Sequence, residues 1–306
     1  MNIIDRFVDN IKKEDLHTLY VQVRKDGEVA GYWSRFSRMT RMESYSASKT
    51  FCGIGLGIAL DQGIIRLDEK VADAFPEYTY DISNPCCLDI TVRDMLLMTS
   101  GLEKRLFARD DRLRATTRDW IDYFYHTGSF VRKPGETFLY DNFNTYMLCA
   151  MLEKKVGVNM HEFLRYRVFE ALGIGNPDMT MCPMGHTVAA NGMAINVDEL
   201  AVLGQMIMDG GVHQGKRIVS EAFIQDMITP HIHTNKPVPG EDGRMLDYGY
   251  QIWVDPVLGT YHLWGIFGQY TVMIPKNRVV ISVMSLEEND DAVGNRVWND
   301  LVKPML

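Results

Sequence analysis

Tyr45-Ser46-Ala47-Ser48-Lys49-Thr50 contains the one S-x-x-K of the chain. It opens an apolar stretch, Phe51-Cys52-Gly53-Ile54-Gly55-Leu56. The change predicts a loop becoming a helix, from about Ala47 to Gln62, that stops at Gly63. Residues three apart on a helix share a face, so the Ser46 hydroxyl and the Lys49 amine can touch. A serine hydroxyl needs a base nearby, and lysine serves once burial lowers its pKa. The apolar neighbours supply that burial, and N–H groups at a helix N-terminus favour developing negative charge. Taken alone, the motif is equally a capping serine followed by a solvated lysine.

Working outward, a short helix over Ile3 to Lys12 precedes two strand-like runs, Leu19–Val23 and Glu28–Trp33, with a hairpin signal at Asp26-Gly27 between them. The middle is mostly helical. Segments open at Thr91 and end near Ser100-Gly101, then run over Thr117–His126, Phe143–Val156, Met160–Leu172, Val197–Asp209 and Ser220–Ile228, the last with Ser220 as N-cap. Then the period changes. Tyr248–Val254, Thr260–Trp264, Tyr270–Ile274 and Val279–Met284 read as an antiparallel meander, closed by a helix from about Asp291 to Val302. The expected class is α+β, with one antiparallel sheet built from both chain ends and flanked by helices. Residues 1–75 and 190–306 would form the sheet lobe and residues 76–189 a mostly helical lobe, with the ligand site in the cleft between them. Gly53-x-Gly55-x-Gly57 follows no strand, so it reads as close helix packing rather than a dinucleotide loop.

Two further stretches carry chemistry. Tyr140-Asp141-Asn142 is the one Y-x-N and sits just before a helix. A tyrosine hydroxyl there can relay the Ser46 proton, and Asn142 can hold Lys49 or a substrate carbonyl. The bland alternative is a helix cap and a core tyrosine. Leu263-Trp264-Gly265-Ile266-Phe267-Gly268-Gln269 lies between two strands. Its glycines permit close backbone approach, and the Ile266 N–H can join that of Ser46 around an oxyanion. Trp253 and Trp264 read as core by default, with Trp264 the better candidate for a site wall. His186 reads as a satisfied surface or core histidine.

Composition narrows the options. The 306 residues carry a net charge of −8, which argues against nucleic acid. The one basic stretch, Lys104 to Arg118, alternates with Asp110, Asp111 and Asp119 and reads as solvated surface. No signal-peptide core and no run of spanning length is seen. The five cysteines, Cys52, Cys86, Cys87, Cys149 and Cys182, lack metal-type spacing and read as free thiols of a reducing compartment, hence the cytoplasm. No metal or cofactor is expected.

The order S-x-x-K, Y-x-N and glycine strand resembles the serine β-lactamase and penicillin-binding-protein superfamily. Asp89-Ile90-Thr91-Val92-Arg93-Asp94, continuing to Thr99-Ser100-Gly101-Leu102, is similar to a segment of that family, as are Leu60-Asp61-Gln62-Gly63 and Lys133-Pro134-Gly135-Glu136. Within it, the layout resembles class C β-lactamases, family VIII esterases and 6-aminohexanoate-oligomer hydrolases. The resemblance implies acylation of Ser46, Lys49 and Tyr140 as base and acid, and an oxyanion held by the N–H groups of Ser46 and Ile266. The third motif departs. Where β-lactamases and DD-peptidases carry a cation and a hydroxyl, this chain has Leu263 and Trp264 before Gly265, with His262 one position away. An ester or amide hydrolase needing no substrate carboxylate is therefore the first expectation. A strict β-lactamase or DD-peptidase and a non-catalytic sensor on the same fold are the rivals.

Overall fold

A computed structural model describes residues 3–107, 111–241 and 243–306. Ala108, Arg109 and Asp110 of the basic stretch read above lie outside them. Helix α1 (Ile3–Lys13) leads into the hairpin of β1 (Thr18–Lys25) and β2 (Glu28–Ser34). Asp26 and Gly27 have φ of 51° and 87°, left-handed at both positions as a tight two-residue hairpin requires. Strand β3 (Met42–Glu43) and a 3-10 turn over Tyr45–Ala47 run directly into α2 (Ser48–Asp61). Then come α3 (Val92–Leu96), α4 (Asp111–Thr116), α5 (Trp120–Thr127), α6 (Asn142–Val156) and α7 (Met160–Leu164). Strand β4 (Ala194–Ile195) pairs with β3. Helix α8 (Val197–Met208), the small hairpin of β5 (Val212–His213) and β6 (Lys216–Arg217), and α9 (Glu221–Met227) follow. Strands β7 (Ile232–Pro237), β8 (Met245–Tyr248), β9 (Trp253–Asp255), β10 (Thr260–Gly265), β11 (Gln269–Ile274) and β12 (Val279–Ser285) then lead to α10 (Asp290–Arg296).

The main sheet is antiparallel, in the order β2-β1-β12-β11-β10-β9-β8-β7. The two chain ends meet at β1, where Val21 faces Trp33 on one side and Val283 on the other. On one face, Phe7, Ile11, Trp298 and Leu301 pack over Val21, Val272 and Ile281. On the other lies α8, where a Cβ on Gly204 would come within 3.0 Å of side chains of Thr271, Met273 and Val280.

Helix α2 is buried continuously from Ser48 to Ala59, because it is apolar on every side. Its glycines act as the sequence suggests. A Cβ on Gly55 would sit 2.6 Å from Met160, and one on Gly57 2.3 Å from Phe223. Each helical glycine costs about 1 kcal/mol in propensity, offset here by close contact with α7 and α9.

Three expectations need correction, and one strand adds to them. The helix after Thr91 ends at Leu96, since Met98 and Gly101 turn left-handed with φ of 60° and 85°. The helix from Met160 is regular only to Leu164 and becomes a π-helical turn over Arg165–Phe169. The single strand expected over Tyr248–Val254 is two, because Gly249 to Ile252 leave the ladder and Gln251 turns left-handed at φ 58°. Strand β7 was not foreseen: His233-Thr234-Asn235-Lys236-Pro237 is polar and proline-ended, which suits an edge strand but resembles a loop.

Candidate active site

Tyr45 has φ of 48°, a left-handed conformation costing a non-glycine residue ~1 kcal/mol or more. The kink aims Ser46 into a cleft of about 400 Å³ lined also by Tyr45, Tyr140, Asn142 and Ile266. Hydrogen bonds hold the turn. Ser44 donates to the Met193 carbonyl through both N–H and hydroxyl, and Ser48 Oγ lies 2.8 Å from the Tyr45 carbonyl and 2.9 Å from that of Ala189. The Tyr45 ring packs on Phe267, 4.9 Å between centres.

One turn along, Lys49 is 1% exposed. Its Nζ lies 3.0 Å from Ser46 Oγ, 2.7 Å from Asn142 Oδ1 and 2.8 Å from the Ala190 carbonyl. Burial lowers its pKa from 10.5 to about 7, against the pull of the Asp141 carboxylate. A neutral amine here gives its two N–H groups to Asn142 and Ala190 and leaves its lone pair for the Ser46 hydroxyl.

The Y-x-N loop enters from the start of α6. Asp141 is the N-cap, its Oδ1 accepting from Phe143 N at 2.8 Å. Its Oδ2 accepts from Leu106 N at 2.8 Å, and burial raises its pKa to about 6. Asp141 thus anchors the loop that brings both Tyr140 and Asn142 to Lys49. The Tyr140 ring stands 4.9 Å from Lys49 Nζ. Burial pushes its phenol up to about 12, with the Ser46 hydroxyl pulling it back.

The third motif closes the cleft. A Cβ on Gly265 would lie 2.4 Å from the Ser44 carbonyl, so a side chain here would push β10 off the turn that carries Ser46. Phe267 and Gly268 are left-handed, with φ of 65° and 85°. Asp290 pins this turn, Oδ1 accepting from Gly268 N at 2.8 Å and Oδ2 from Trp264 Nε1 at 3.0 Å. Ile266 is exposed in the cleft. Leu263 points into the helix-side core, while Trp264 and Trp253 both wall a second part of the cleft. Tyr140 stacks on Trp253 at 5.4 Å and 19°. His262 is fully buried, 5.0 Å from the Trp298 ring, with neither nitrogen hydrogen-bonded among the described residues. Burial lowers its pKa to about 3, so it is neutral and supplies no charge.

Ser46, Lys49, Tyr140, Asn142, Trp264 and Ile266 thus converge, with Gly265 behind them. His186 does not join them; its Nδ1 lies 2.7 Å from Glu153 Oε2 at a different cavity. The five cysteines are free, and no helix among the described residues is long and apolar enough to cross a membrane. Sequence reasoning missed the Ala190 carbonyl and three cations, while Asp141 is the helix cap that the motif offered. Arg105 and Arg114 line the Ser46 cleft, which corrects the reading of the basic stretch as mere solvated surface. Lys236 lies on the unforeseen strand β7 and lines the part walled by Trp253 and Trp264. The signal available for Ala190 was its place two residues before Gly192, but a carbonyl acceptor has no side-chain signature.

A family model described as Beta-lactamase matches residues 3–302. The chain belongs to the beta-lactamase family. Its relatives include the 6-aminohexanoate-dimer hydrolase of Paenarthrobacter ureafaciens, 26% identical over 208 residues, or 64% of this chain and 53% of that protein. A penicillin-binding protein of Bacillus subtilis is 28% identical over 137 residues, or 43% of this chain and 29% of that one. The chain thus spans about half or less of these relatives' lengths. Among solved structures, EstCE1, a hydrolase with promiscuous acyltransferase activity, superposes with a TM-score of 0.76 at 15% identity, covering 96% of both chains. The fold is accordingly of the β-lactamase/transpeptidase-like kind.

Proposed function

We propose that the protein is a serine hydrolase that cleaves a small ester or amide through an acyl-enzyme. The observation that carries this reading is the buried Lys49 amine, with a pKa near 7, 3.0 Å from Ser46 Oγ. Lys49 accepts the Ser46 proton as Oγ bonds to the substrate carbonyl carbon. The N–H groups of Ser46 and Ile266 hold the oxyanion. Tyr140, whose phenol keeps its proton at neutral pH, donates it to the leaving alcohol or amine and recovers one from Lys49. Water then attacks the acyl-enzyme by the reverse relay, releasing the acid. Asn142 holds Lys49 in line and can donate to the substrate carbonyl side. Family membership and a relative named for dimer hydrolysis support the ester or amide class.

The test is the intact mass of the protein after exposure to benzylpenicillin and to short nitrophenyl esters. A transient acyl adduct is expected on wild type and none on Ser46→Ala. Folded wild type that neither gains mass nor turns over any ester would favour the ligand-binding rival. Rapid turnover of a chromogenic cephalosporin would instead favour a strict β-lactamase.

A further inference from the structure

The loss of a cation from the third motif removes the usual reason to expect an anionic substrate. The fold places another cation in the same cleft. Lys236, near the end of β7, lines the cavity of about 280 Å³ that opens at Ser46 and is walled by Phe138, Tyr140, Trp253 and Trp264. Its Nζ lies 3.7 Å from the centre of the Trp264 ring, within cation–π range. That indole is itself fixed by its N–H bond to Asp290, so the ammonium rests on a rigid plate. Both Asp290 oxygens are taken by Trp264 and Gly268, and Lys236 makes no ion pair with a carboxylate among the described residues. Burial lowers the Lys236 pKa from its ordinary value; of the groups facing it, Asp290 and Asp291 favour the charged form and Arg105 opposes it.

We propose that Lys236 is the anion-binding end of the acyl pocket, so that the preferred substrate is an ester or amide whose apolar arm runs from the scissile carbonyl along Trp253 and Trp264 to a terminal carboxylate. This inference rests on the hydrolase reading above and makes Lys236 a specificity determinant, not part of the proton relay. The aromatic walls fit a methylene chain, and three unused ammonium donors suit a carboxylate. Strand β10 carries no lysine or arginine, and Lys236 stands instead on the far edge of the sheet. The expectation of a substrate needing no carboxylate is then reversed.

The test compares two nitrophenyl esters with the same six-carbon acyl chain, mono-nitrophenyl adipate and its neutral methyl ester. Wild type is expected to favour the anionic ester in kcat/KM. Lys236→Met should lower kcat/KM for that ester about tenfold to a hundredfold, the usual range for a hydrogen bond to a charged group, mainly through KM, and leave the neutral ester within about twofold. Lys236→Arg should retain most of the preference. Equal losses on both esters would make Lys236 only a support for Trp264 and overturn the proposal. So would loss of the preference in Arg105→Gln but not in Lys236→Met. Calorimetry on the Ser46→Ala protein separates this from the hydrolase reading. Hexanoate should bind more tightly than hexanamide, and the difference should vanish when Lys236→Met is added, even if neither ester is hydrolysed. Equal binding of the two ligands would overturn the anion site while leaving the hydrolase reading intact.

Discussion

Lys49 is an expensive residue to keep. Its folded pKa is near 7 and its unfolded value 10.5. The unfolded chain therefore holds the extra proton across that window, and stability rises with pH between them. Asp141, raised from 3.8 to about 6, gives the opposite slope below pH 6. Thermal unfolding of wild type and Lys49→Met at pH 6 and pH 10 should show the variant's relative stability greatest at pH 6 and declining towards pH 10. A constant difference would mean that Lys49 is not titrating near neutrality. The same group governs the rate. Acylation should increase with pH through a midpoint near 7, as the amine loses its proton. Tyr140→Phe should cut kcat about a hundredfold to ten-thousandfold, the usual contribution of a proton-transferring group, while the Ser46 turn stays folded.

At the level of elements, the candidate site was legible where side-chain chemistry follows regular spacing. Ser46 and Lys49 share one helical turn, and Tyr140 and Asn142 flank a cap, so period and residue type sufficed. What escaped were contacts made by backbone, and side chains on polar strands. Gln251 is the clearest case. Read as a residue of one long strand, it instead turns inward, 1% exposed. Its Nε2 donates to the Leu96 carbonyl at 3.0 Å and lies 3.2 Å from that of Met95, while Oε1 accepts from Thr145 Oγ1 at 2.5 Å. Its own carbonyl accepts from Thr50 at 2.8 Å. One side chain thus ties α3 and α6 to the turn before β9, and its carbonyl adds α2. Gln251→Ala strands the buried Thr145 hydroxyl, at about 1–3 kcal/mol, while the Met95 and Leu96 carbonyls keep their bonds from the backbone N–H groups of Met98 and residue 251. A fall in the urea midpoint with an unchanged slope would report that loss; an unchanged midpoint would mean the network carries no net stability.

For the whole molecule, the decisive fact is that β1 and β12 lie side by side although they open and close the chain, Tyr20 opposite Met284 and Val23 opposite Ile281. The alternation around Asp26-Gly27 and in the last strands made both hairpins readable. Their pairing with each other followed only from the need to join two half-sheets. Contacts so distant in sequence slow folding, because the loop must close before they contribute. Removal of residues 1–34 strips β12 of one of its two strand neighbours and uncovers the apolar face under α1. That variant should show neither a cooperative thermal transition nor acylation at Ser46, measured by circular dichroism and intact mass. A folded, reactive truncated protein would show that the site needs only the C-terminal strands.

The position of β7 has one more consequence. It borders the sheet with a single strand neighbour, β8, whereas β10, which carries Gly265 against the Ser44 carbonyl, is flanked by β9 and β11. Changes at residues 232–237 therefore reach one wall of the cleft without moving the turn that carries Ser46, while changes at Gly265 displace that turn. If Lys236 holds the substrate's carboxylate, as proposed, drift on β7 alters which acid is taken without passing through an inactive ancestor.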